Sequence, residues 1–267
     1  MIELTKLFKR SPVVSVIRLS GVIGSGSRFG GPGLNDAAMA DVIERAFTKG
    51  KPKVVALAIN SPGGSPVQSA LIAARIRRLA AEKNLKVYAF CEDVAASGGY
   101  WLATAGDEIY ADRSSIVGSI GVISASFGFH ELMTRQGIER RVYTAGEDKS
   151  MLDPFRPEKP EDVERLKALQ KVIHTNFIDQ VTGRRGKMLR GDDLFTGEIW
   201  VGPQAVENGL IDGIAHLVPK MKELFGEDVK LSVFGPKKSL LNRFGGPAAA
   251  GIMNDVEDRS LWTRFGL

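Results

Sequence analysis

The chain has 267 residues, of which 43% are hydrophobic and 25% are charged, and this composition excludes a disordered protein. A single cysteine, Cys91, excludes an internal disulfide and a cysteine-built metal site. The 36 basic and 31 acidic residues leave a net charge of +5, and the basic clusters lack interleaved aromatic residues, so we expect no nucleic-acid partner. No apolar run predicts a transmembrane anchor or a secretory signal peptide. We therefore expect a cytoplasmic protein and leave open a peripheral contact with the inner face of the membrane.

Apolar strands are predicted at intervals through the first half of the chain. The near-continuous apolar run Val54–Ile59 is typical of a strand that is covered on both faces. Because loops and helical stretches separate the strands, we predict an α/β fold of repeated strand-loop-helix units with a largely parallel sheet. The other predicted strands are Val13–Leu19, Val87–Cys91, Ile109–Ala111 and Ile120–Ser126.

Helices are predicted between these strands and after them. One begins at Asn35 or Asp36, either of which can cap it, and a second covers about Pro66 to Glu82. A long amphipathic helix begins at Pro160 and ends near Gly183. In the second helix, four apolar residues are predicted to face the core: Val67, Leu71, Ala74 and Leu79.

The regular pattern ends at Phe225. We therefore predict a main domain over 1–225 and a C-terminal extension over 226–267. The extension keeps apolar residues, and these favour docking on the core or on a neighbouring subunit: Leu240, Leu241, Phe244, Trp262 and Phe265.

Two glycine-rich loops follow two of the predicted strands. Ser61–Gly64 comes directly after a buried strand, at the sheet edge where α/β proteins bind ligands. Ala95–Tyr100 has the same position after the next strand, and small neighbours expose the hydroxyl group of Ser97. Glycine N–H groups in such loops can stabilise an oxyanion, but a plain turn and a helix cap remain alternatives. The glycines at 24, 26 and 30 do not have the spacing of a dinucleotide-binding motif.

A serine nucleophile needs a general base. None of the three histidines, His130, His174 and His216, lies in a glycine-marked loop, so a histidine triad is not favoured. Ser–Lys variants of the triad exist, and they need a lysine that desolvation has made neutral. Composition does not choose among the lysines, and Lys149 is one of several that lie in loops.

An ordered set of motifs resembles the signal peptide peptidase A (SppA) family of serine peptidases. The match covers about Val13 to Leu217 and extends to the Clp-protease and crotonase-like relatives of that family, whose fold it implies. Six segments carry the resemblance: Asn60–Gly64, Ala96–Tyr100, Gly118–Val122, Gly146–Lys149, Phe195–Gly197 and Ala205–Asp212.

The resemblance implies a Ser–Lys dyad and an acyl-enzyme mechanism without a cofactor or metal. By this resemblance Ser97 is the nucleophile and Lys149, 52 residues later, is the general base. Ser119 matches the serine that orients the lysine. The backbone oxyanion hole matches Gly98 together with Gly63 or Gly64.

The family also implies partners. We expect an apolar or unfolded peptide substrate, such as a signal-peptide remnant, and a homo-oligomeric ring. The family's usual membrane anchor is not found in this chain, so membrane association stays open. Two alternatives remain at this point: a crotonase-like acyl-CoA enzyme and a non-catalytic scaffold of the same fold.

Overall fold

The computed structural model describes residues 11–24, 33–146, 149–236 and 259–267. These residues belong to two compact units. Unit 1 consists of Met1–Ile120 and Phe177–Leu267, and unit 2 consists of Gly121–Asn176. The predicted boundary at Phe225 stays a prediction, and Leu240, Leu241 and Phe244 lie outside the described residues.

The described part of unit 1 contains a sheet of eight strands. The strands are β1 (Val13–Ser20), β2 (Val54–Ser61), β3 (Lys86–Ala96), β4 (Glu108–Ala111), β5 (Ile116–Gly118), β6 (Ile199–Val201), β7 (Gly213–Ile214) and β8 (Lys230–Phe234). Its helices are α1 (Asp36–Thr48), α2 (Pro66–Lys83), α3 (Gly98–Ala103), α6 (Gly202–Glu207) and α7 (Leu217–Phe225). Unit 2 contains α4 (His130–Arg135), and α5 (Pro160–Arg185) begins in unit 2 and ends in unit 1.

The sheet is parallel at every described pairing except one. Its main order is β6-β5-β3-β2-β1-β8, and β4 pairs with both β3 and β7. Only β5 and β6 run antiparallel. The predicted α/β class with a largely parallel sheet is therefore confirmed.

Both faces of the central strands are buried, as a parallel sheet covered on both sides requires. Side chains alternate along β2, so that Leu57 packs into the larger core cluster and Ala56 into the smaller one. Helices α1 and α2 contribute to the larger cluster, whereas Met221 of α7 contributes to the smaller one. This packing fixes the strand ends from which the glycine-rich loops start.

Local signals start the first two helices where the sequence predicts them. The Asn35 side chain accepts the Ala38 N–H at 2.9 Å, which caps α1. Ser65 caps α2 in the same way, and Pro66 occupies the first turn.

The predicted inner face of α2 is wrong for three of its four residues. Val67, Leu71 and Ala74 are exposed, whereas Leu79 is buried. The buried positions follow a different stripe with the same three-to-four-residue spacing: Ser69, Ile72, Ala73, Ile76, Leu79 and Ala80. Because α2 is apolar on more than one side, periodicity does not decide which stripe packs inward.

The strand predicted over Ile120–Ser126 is also wrong. The strand in this region is β5, and it ends at Gly118, where both Gly118 and Ser119 have positive φ angles that break the extended backbone. Conversely, β8 lies in the segment predicted as an irregular extension and pairs in parallel with β1.

Helix α5 confirms the predicted long helix, but its apolar stripe is only partly buried. Phe177 and Val181 are buried in unit 1, whereas Leu169 and Val172 are exposed. No described residue of unit 2 is buried. Unit 2 therefore has no hydrophobic core among its described residues.

Candidate active site

The first glycine-rich loop leaves the buried carboxyl end of β2. Gly63 and Gly64 have φ angles of +110° and +137°, which favour glycine. Ile23 fixes the loop from outside, because its N–H donates to the Gly63 carbonyl at 2.8 Å. The Gly63 N–H donates to the Ser61 hydroxyl at 3.2 Å. These bonds hold the loop at the sheet edge.

Ser97 lies on the sharp turn between β3 and α3. Its φ of 51° and ψ of −122° place a non-glycine residue in a conformation that costs of order 1–3 kcal/mol. Its N–H donates to the Gly118 carbonyl at 2.8 Å, and its carbonyl accepts the Trp101 N–H at 3.0 Å. The Ser97 side chain does not cap α3, so its hydroxyl is left for other contacts. A strained strand-to-helix turn of this kind presents a nucleophilic serine in other enzymes.

The two loops pack directly against each other. A Cβ added at Gly63 would lie 2.7 Å from the Ser97 Cβ and 3.0 Å from the Gly98 N. A Cβ added at Gly98 would lie 2.4 Å from the Ser69 hydroxyl oxygen and 3.4 Å from the Gly64 N. The loops therefore need glycine at both positions, and backbone N–H groups of both loops come close to Ser97.

Two of these N–H groups have no partner within the described residues. The Gly98 N–H is the first of α3 and lacks an intrahelical acceptor. The Gly64 N–H also donates to no described residue. Gly63 differs, because its N–H is already bonded to Ser61. Gly98 and Gly64 thus offer the unpaired donors beside Ser97.

Ser119 follows β5, whose last residue, Gly118, accepts the Ser97 N–H with its carbonyl group. Its φ is 51°, its N–H donates to the Glu198 carbonyl at 2.7 Å, and 9% of its surface is exposed. A Cβ at Gly118 would lie 2.7 Å from the Trp200 ring, so the close contact between β5 and β6 also needs glycine. Ser119 is therefore held one strand away from the Ser97 turn.

A buried polar network holds α3 on its far side. The Tyr100 hydroxyl donates to the Leu210 carbonyl at 2.7 Å, and burial raises the pKa of Tyr100, which keeps it a neutral donor. Arg185, 3% exposed, donates to Asp212 at 2.7 Å and to the Gly209 carbonyl at 2.9 Å. The motif from Ala205 to Asp212 thus anchors the helix that begins after Ser97.

Lys149 lies in unit 2. Its side chain is exposed in the single chain, and its backbone N–H donates to the Gly146 carbonyl at 3.3 Å. Glu147 and Asp148 of the same loop lie outside the described residues. Of the predicted site residues, unit 1 brings together Ser97, Gly98, Gly63, Gly64 and Ser119, and the pairing of Ser97 with Lys149 stays a prediction.

Some contributors to the site region are missed by the sequence analysis. Ser69 packs against Gly98 from the buried stripe of α2, and its spacing to Ile72 and Ile76 is the signal that could have revealed it. The partners of Tyr100 and Arg185 come from more than 20 residues away, and no local pattern predicts them.

In 11–24, 33–146, 149–236 and 259–267, no group of three or more His, Cys, Asp or Glu side chains is placed to hold a metal ion. Within the same ranges, no helix has the length and apolar character needed to cross a bilayer.

An α/β fold with a serine on a strained strand-to-helix turn, faced by unpaired backbone N–H groups, is typical of hydrolases with a serine nucleophile. The model of Peptidase family S49 matches residues 80–226, which is more than half of the chain. The chain therefore belongs to Peptidase family S49, and the predicted resemblance is confirmed.

Curated relatives carry different names. The chain is 49% identical over 271 residues to a Brucella melitensis protein named Na(+)/H(+) antiporter NhaA, covering 95% of this chain and 37% of that protein. It is 32% identical over 213 residues to the chloroplastic serine protease SPPA of Arabidopsis thaliana, covering 76% of this chain and 31% of that protein. The chain thus spans about a third of the length of these two relatives.

The chain has a low structural similarity to one solved protein. It is a mutant of the 1510-N membrane-bound stomatin-specific protease, with 14% identity and a TM-score of 0.48, covering 86% of this chain and 99% of that one.

Proposed function

We propose that this chain is a serine peptidase in which Ser97 is the nucleophile and Lys149 the general base. The observation that carries the proposal is the strained turn at Ser97, packed against Gly63 with unpaired backbone N–H groups beside it. Membership of Peptidase family S49 supports this function and favours it over a crotonase-like acyl-CoA enzyme or a non-catalytic scaffold.

In the first step the neutral amine of Lys149 accepts the Ser97 hydroxyl proton while the Ser97 oxygen attacks the peptide carbonyl carbon. Because Lys149 is exposed in the single chain, water must be excluded from it by substrate or by a second subunit. We assign Ser119 to orient the amine, by its family motif and its position after β5.

The oxyanion that forms in this step needs donors that are already in place. We propose the N–H groups of Gly98 and Gly64, because the Gly63 N–H is bonded to Ser61. One such donor is worth about 3–4 kcal/mol in the transition state. Protonated Lys149 then donates its proton to the leaving amine, and water, activated by the same lysine, releases the acyl group from Ser97.

For the substrate we propose an unfolded or apolar peptide, such as a signal-peptide remnant. The family name and the small residues around Ser97 support a peptide in extended form. We also propose a cytoplasmic location, with or without a peripheral contact with the inner membrane face. Fractionation of cells that express the chain tests the location.

We further propose that the chain assembles into a homo-oligomeric ring. Large apolar side chains that are exposed in unit 2 support this proposal, because exposed apolar surface is often covered by a protein partner. They include Ile123, Phe127, Leu132, Ile138, Tyr143, Leu169 and Val172. Light scattering should give a mass several times that of one chain, and a monomer at micromolar concentration contradicts the ring.

Mixed Ser97→Ala and Lys149→Ala chains should regain activity only if the dyad forms between subunits.

The catalytic proposal is tested with purified protein and a fluorogenic apolar peptide. We expect Ser97→Ala and Lys149→Ala each to lower kcat by about 10⁴–10⁶-fold, as catalytic knockouts do. The matched controls are Ser114→Ala and Lys159→Ala, an exposed serine of unit 1 and an exposed loop lysine of unit 2. Near wild-type hydrolysis by either dyad variant, or an equal loss in its control, removes that residue from the proposed mechanism. Release of thiol from an acyl-CoA, with no peptide hydrolysis, would instead favour the acyl-CoA enzyme.

A further inference from the structure

Strands β2 and β3 lose their regular register just before the two glycine-rich loops begin. Ile59 pairs with Cys91, whereas Ser61 pairs with Ala95. Between these two pairs β3 advances by four residues and β2 by only two, so β3 contains a bulge of two extra residues. The bulge lies at the carboxyl edge of the sheet, directly before the Ser97 turn.

The bulge decides which residue of β3 faces the first glycine-rich loop. If the register of Ile59 with Cys91 continued unbroken, Gly63 would lie opposite Ala95. The two extra residues bring Ser97 opposite Gly63 instead, which agrees with the 2.7 Å between the Ser97 Cβ and a Cβ added at Gly63. Because a strand rises about 3.3 Å per residue, closing the bulge would move the Ser97 backbone by several ångströms. The alignment of the two loops therefore depends on the bulge.

The Asn60 side chain bonds to two residues of the bulge. Its Oδ1 accepts the Val94 N–H at 3.2 Å, and its Nδ2 donates to the Asp93 carboxylate at 2.6 Å. Val94 is fully buried, and a buried backbone N–H needs an acceptor where the regular ladder is interrupted. An amide fits both contacts because it carries an acceptor and a donor, whereas an ionised carboxylate only accepts.

Strand β1 adds two contacts in the same region. The Gly21 N–H donates to the Asn60 carbonyl at 2.9 Å, which holds the backbone of Asn60 from the side of β1. The Arg18 guanidinium donates to both carboxylate oxygens of Glu92, at 3.0 and 3.2 Å. This ion pair is largely exposed, and exposed pairs contribute little. The Asn60 amide is therefore the main side-chain link between β2 and the bulge among the described residues.

We infer that Asn60 is a positioning residue, whose amide fixes the bulge and so aligns Ser97 with the first glycine-rich loop. The inference rests on the proposed peptidase function. Of the proposed oxyanion donors, Gly98 follows Ser97 on the side of β3, whereas Gly64 lies on the side of β2. The two N–H groups reach one oxyanion only if the two strand ends keep their alignment, and a misplacement of about 1 Å can cost about 10²-fold in rate.

The test measures peptide hydrolysis by three variants: Asn60→Ala, Asn60→Asp, and the exchanged pair Asn60→Asp with Asp93→Asn. In Asn60→Ala we expect kcat to fall about 10²-fold and KM to change less than about twofold, because the donors act on the transition state. Asn60→Asp places two carboxylates side by side and should also lower kcat. The exchanged pair should recover most of the lost kcat, because the carboxylate at position 60 can accept from both the Val94 N–H and the amide at position 93.

Asp112→Ala is the matched control. It also removes two side-chain hydrogen bonds at the carboxyl edge of the sheet, one from the Ser114 N–H at 2.8 Å and one with His216 at 2.7 Å. Both partners lie outside β2 and β3, so kcat should stay close to the wild-type value. A loss of kcat in Asp112→Ala equal to that in Asn60→Ala would mean that Asn60 has only a general structural role.

Backbone hydrogen exchange over residues 92–98 measures the bulge without turnover. Exchange should become faster in Asn60→Ala and return towards the wild-type rate in the exchanged pair. Wild-type kcat in Asn60→Ala, or no recovery in the exchanged pair, would overturn the inference. If Asn60→Ala does not fold, Asn60→Asp and the exchanged pair give the same comparison. If the wild-type protein hydrolyses no peptide, the peptidase proposal fails, and the exchange rates still decide whether Asn60 holds the bulge.

Discussion

Units 1 and 2 differ in how their apolar residues are used. In unit 1 the strands and helices bury apolar residues on both faces of the sheet, including Ile17, Leu57 and Ile76 at 0% exposure. The described residues of unit 2 include none that is buried, and Phe127 and Tyr143 are 79% and 90% exposed. The proposed nucleophile lies in the packed unit, whereas the proposed base lies in the unit whose described residues form no core. Unit 1 can fix Ser97 by itself, but the setting of Lys149 must depend on further contacts.

The largest expected difference between the units concerns charged pairs. Arg185→Met leaves Asp212 without its buried partner, and such a loss costs about 3–5 kcal/mol of unfolding free energy. Arg135→Met in unit 2 removes an exposed pair with Glu131 and should cost less than about 1 kcal/mol. Denaturant unfolding of both variants measures the difference. Equal losses would contradict the comparison.

Helix α5 allows the same comparison within one element. Phe177 is 3% exposed and stacks on Trp101 with ring centroids 4.9 Å apart, so Phe177→Ala should cost about 3–5 kcal/mol. Leu169 is 52% exposed, and Leu169→Ala should change the stability of the single chain by less than about 0.5 kcal/mol. Both variants are unfolded at a concentration where light scattering gives one chain mass. A large loss in Leu169→Ala would mean that unit 2 buries this residue in the monomer.

The packing of the two loops in unit 1 gives a kinetic prediction. Gly63→Ala places a methyl group against Ser97 and Gly98, and we expect kcat/KM to fall about 10²–10³-fold, as when an oxyanion donor is displaced. Gly226→Ala is the control, because its φ of +93° is also unfavourable for alanine, but no described residue beyond its two chain neighbours has an atom within 4 Å of the added group. Similar losses of kcat/KM in the two variants would mean that backbone strain alone causes the effect.

The smallest expected effect is a pH dependence. Two hydrogen bonds from Arg75, both 2.7 Å long, hold the pKa of Asp36 below its usual value. The pair therefore stabilises the fold above the unfolded pKa of about 3.9, and this contribution is lost as the pH falls through the lower folded pKa. The stability difference between wild type and Asp36→Asn should be below about 1 kcal/mol at neutral pH and should shrink in acid. A difference that grows in acid contradicts the assignment. Asp41→Asn, on the same helix in an exposed pair, is the control.

The sequence predicts local features of the fold better than contacts between distant segments. Val54–Ile59 and the glycines after it are visible locally, because a fully buried strand and a tight loop each have their own composition. The sequence does not predict the inner face of α2, because Leu71 and Ile72 both fit a helical stripe. Only the elements that pack against α2 determine which of the two is buried. The same holds for β8, which is recognised as a strand only by its pairing with β1.

The residues of the candidate site also fall into those that the local sequence predicts and those that it does not. Ser97 and the glycine loops follow from strand ends, whereas Ser119 and Lys149 depend on the family resemblance. The contacts of Arg185 with Asp212, and of Asn60 with the bulge of β3, depend on the three-dimensional fold. No spacing along the chain predicts contacts that join residues so far apart.

The central claim is the pairing of Ser97 with Lys149, and an experimental structure of the protein in its solution assembly tests it most directly. The measured quantity is the distance from the Ser97 Oγ to the nearest Lys149 Nζ, within one chain or across a subunit contact. The account predicts hydrogen-bond reach, about 2.6–3.2 Å, and an amine shielded from bulk water. A Lys149 amine that lies in solvent, beyond reach of Ser97 in every subunit, would contradict it.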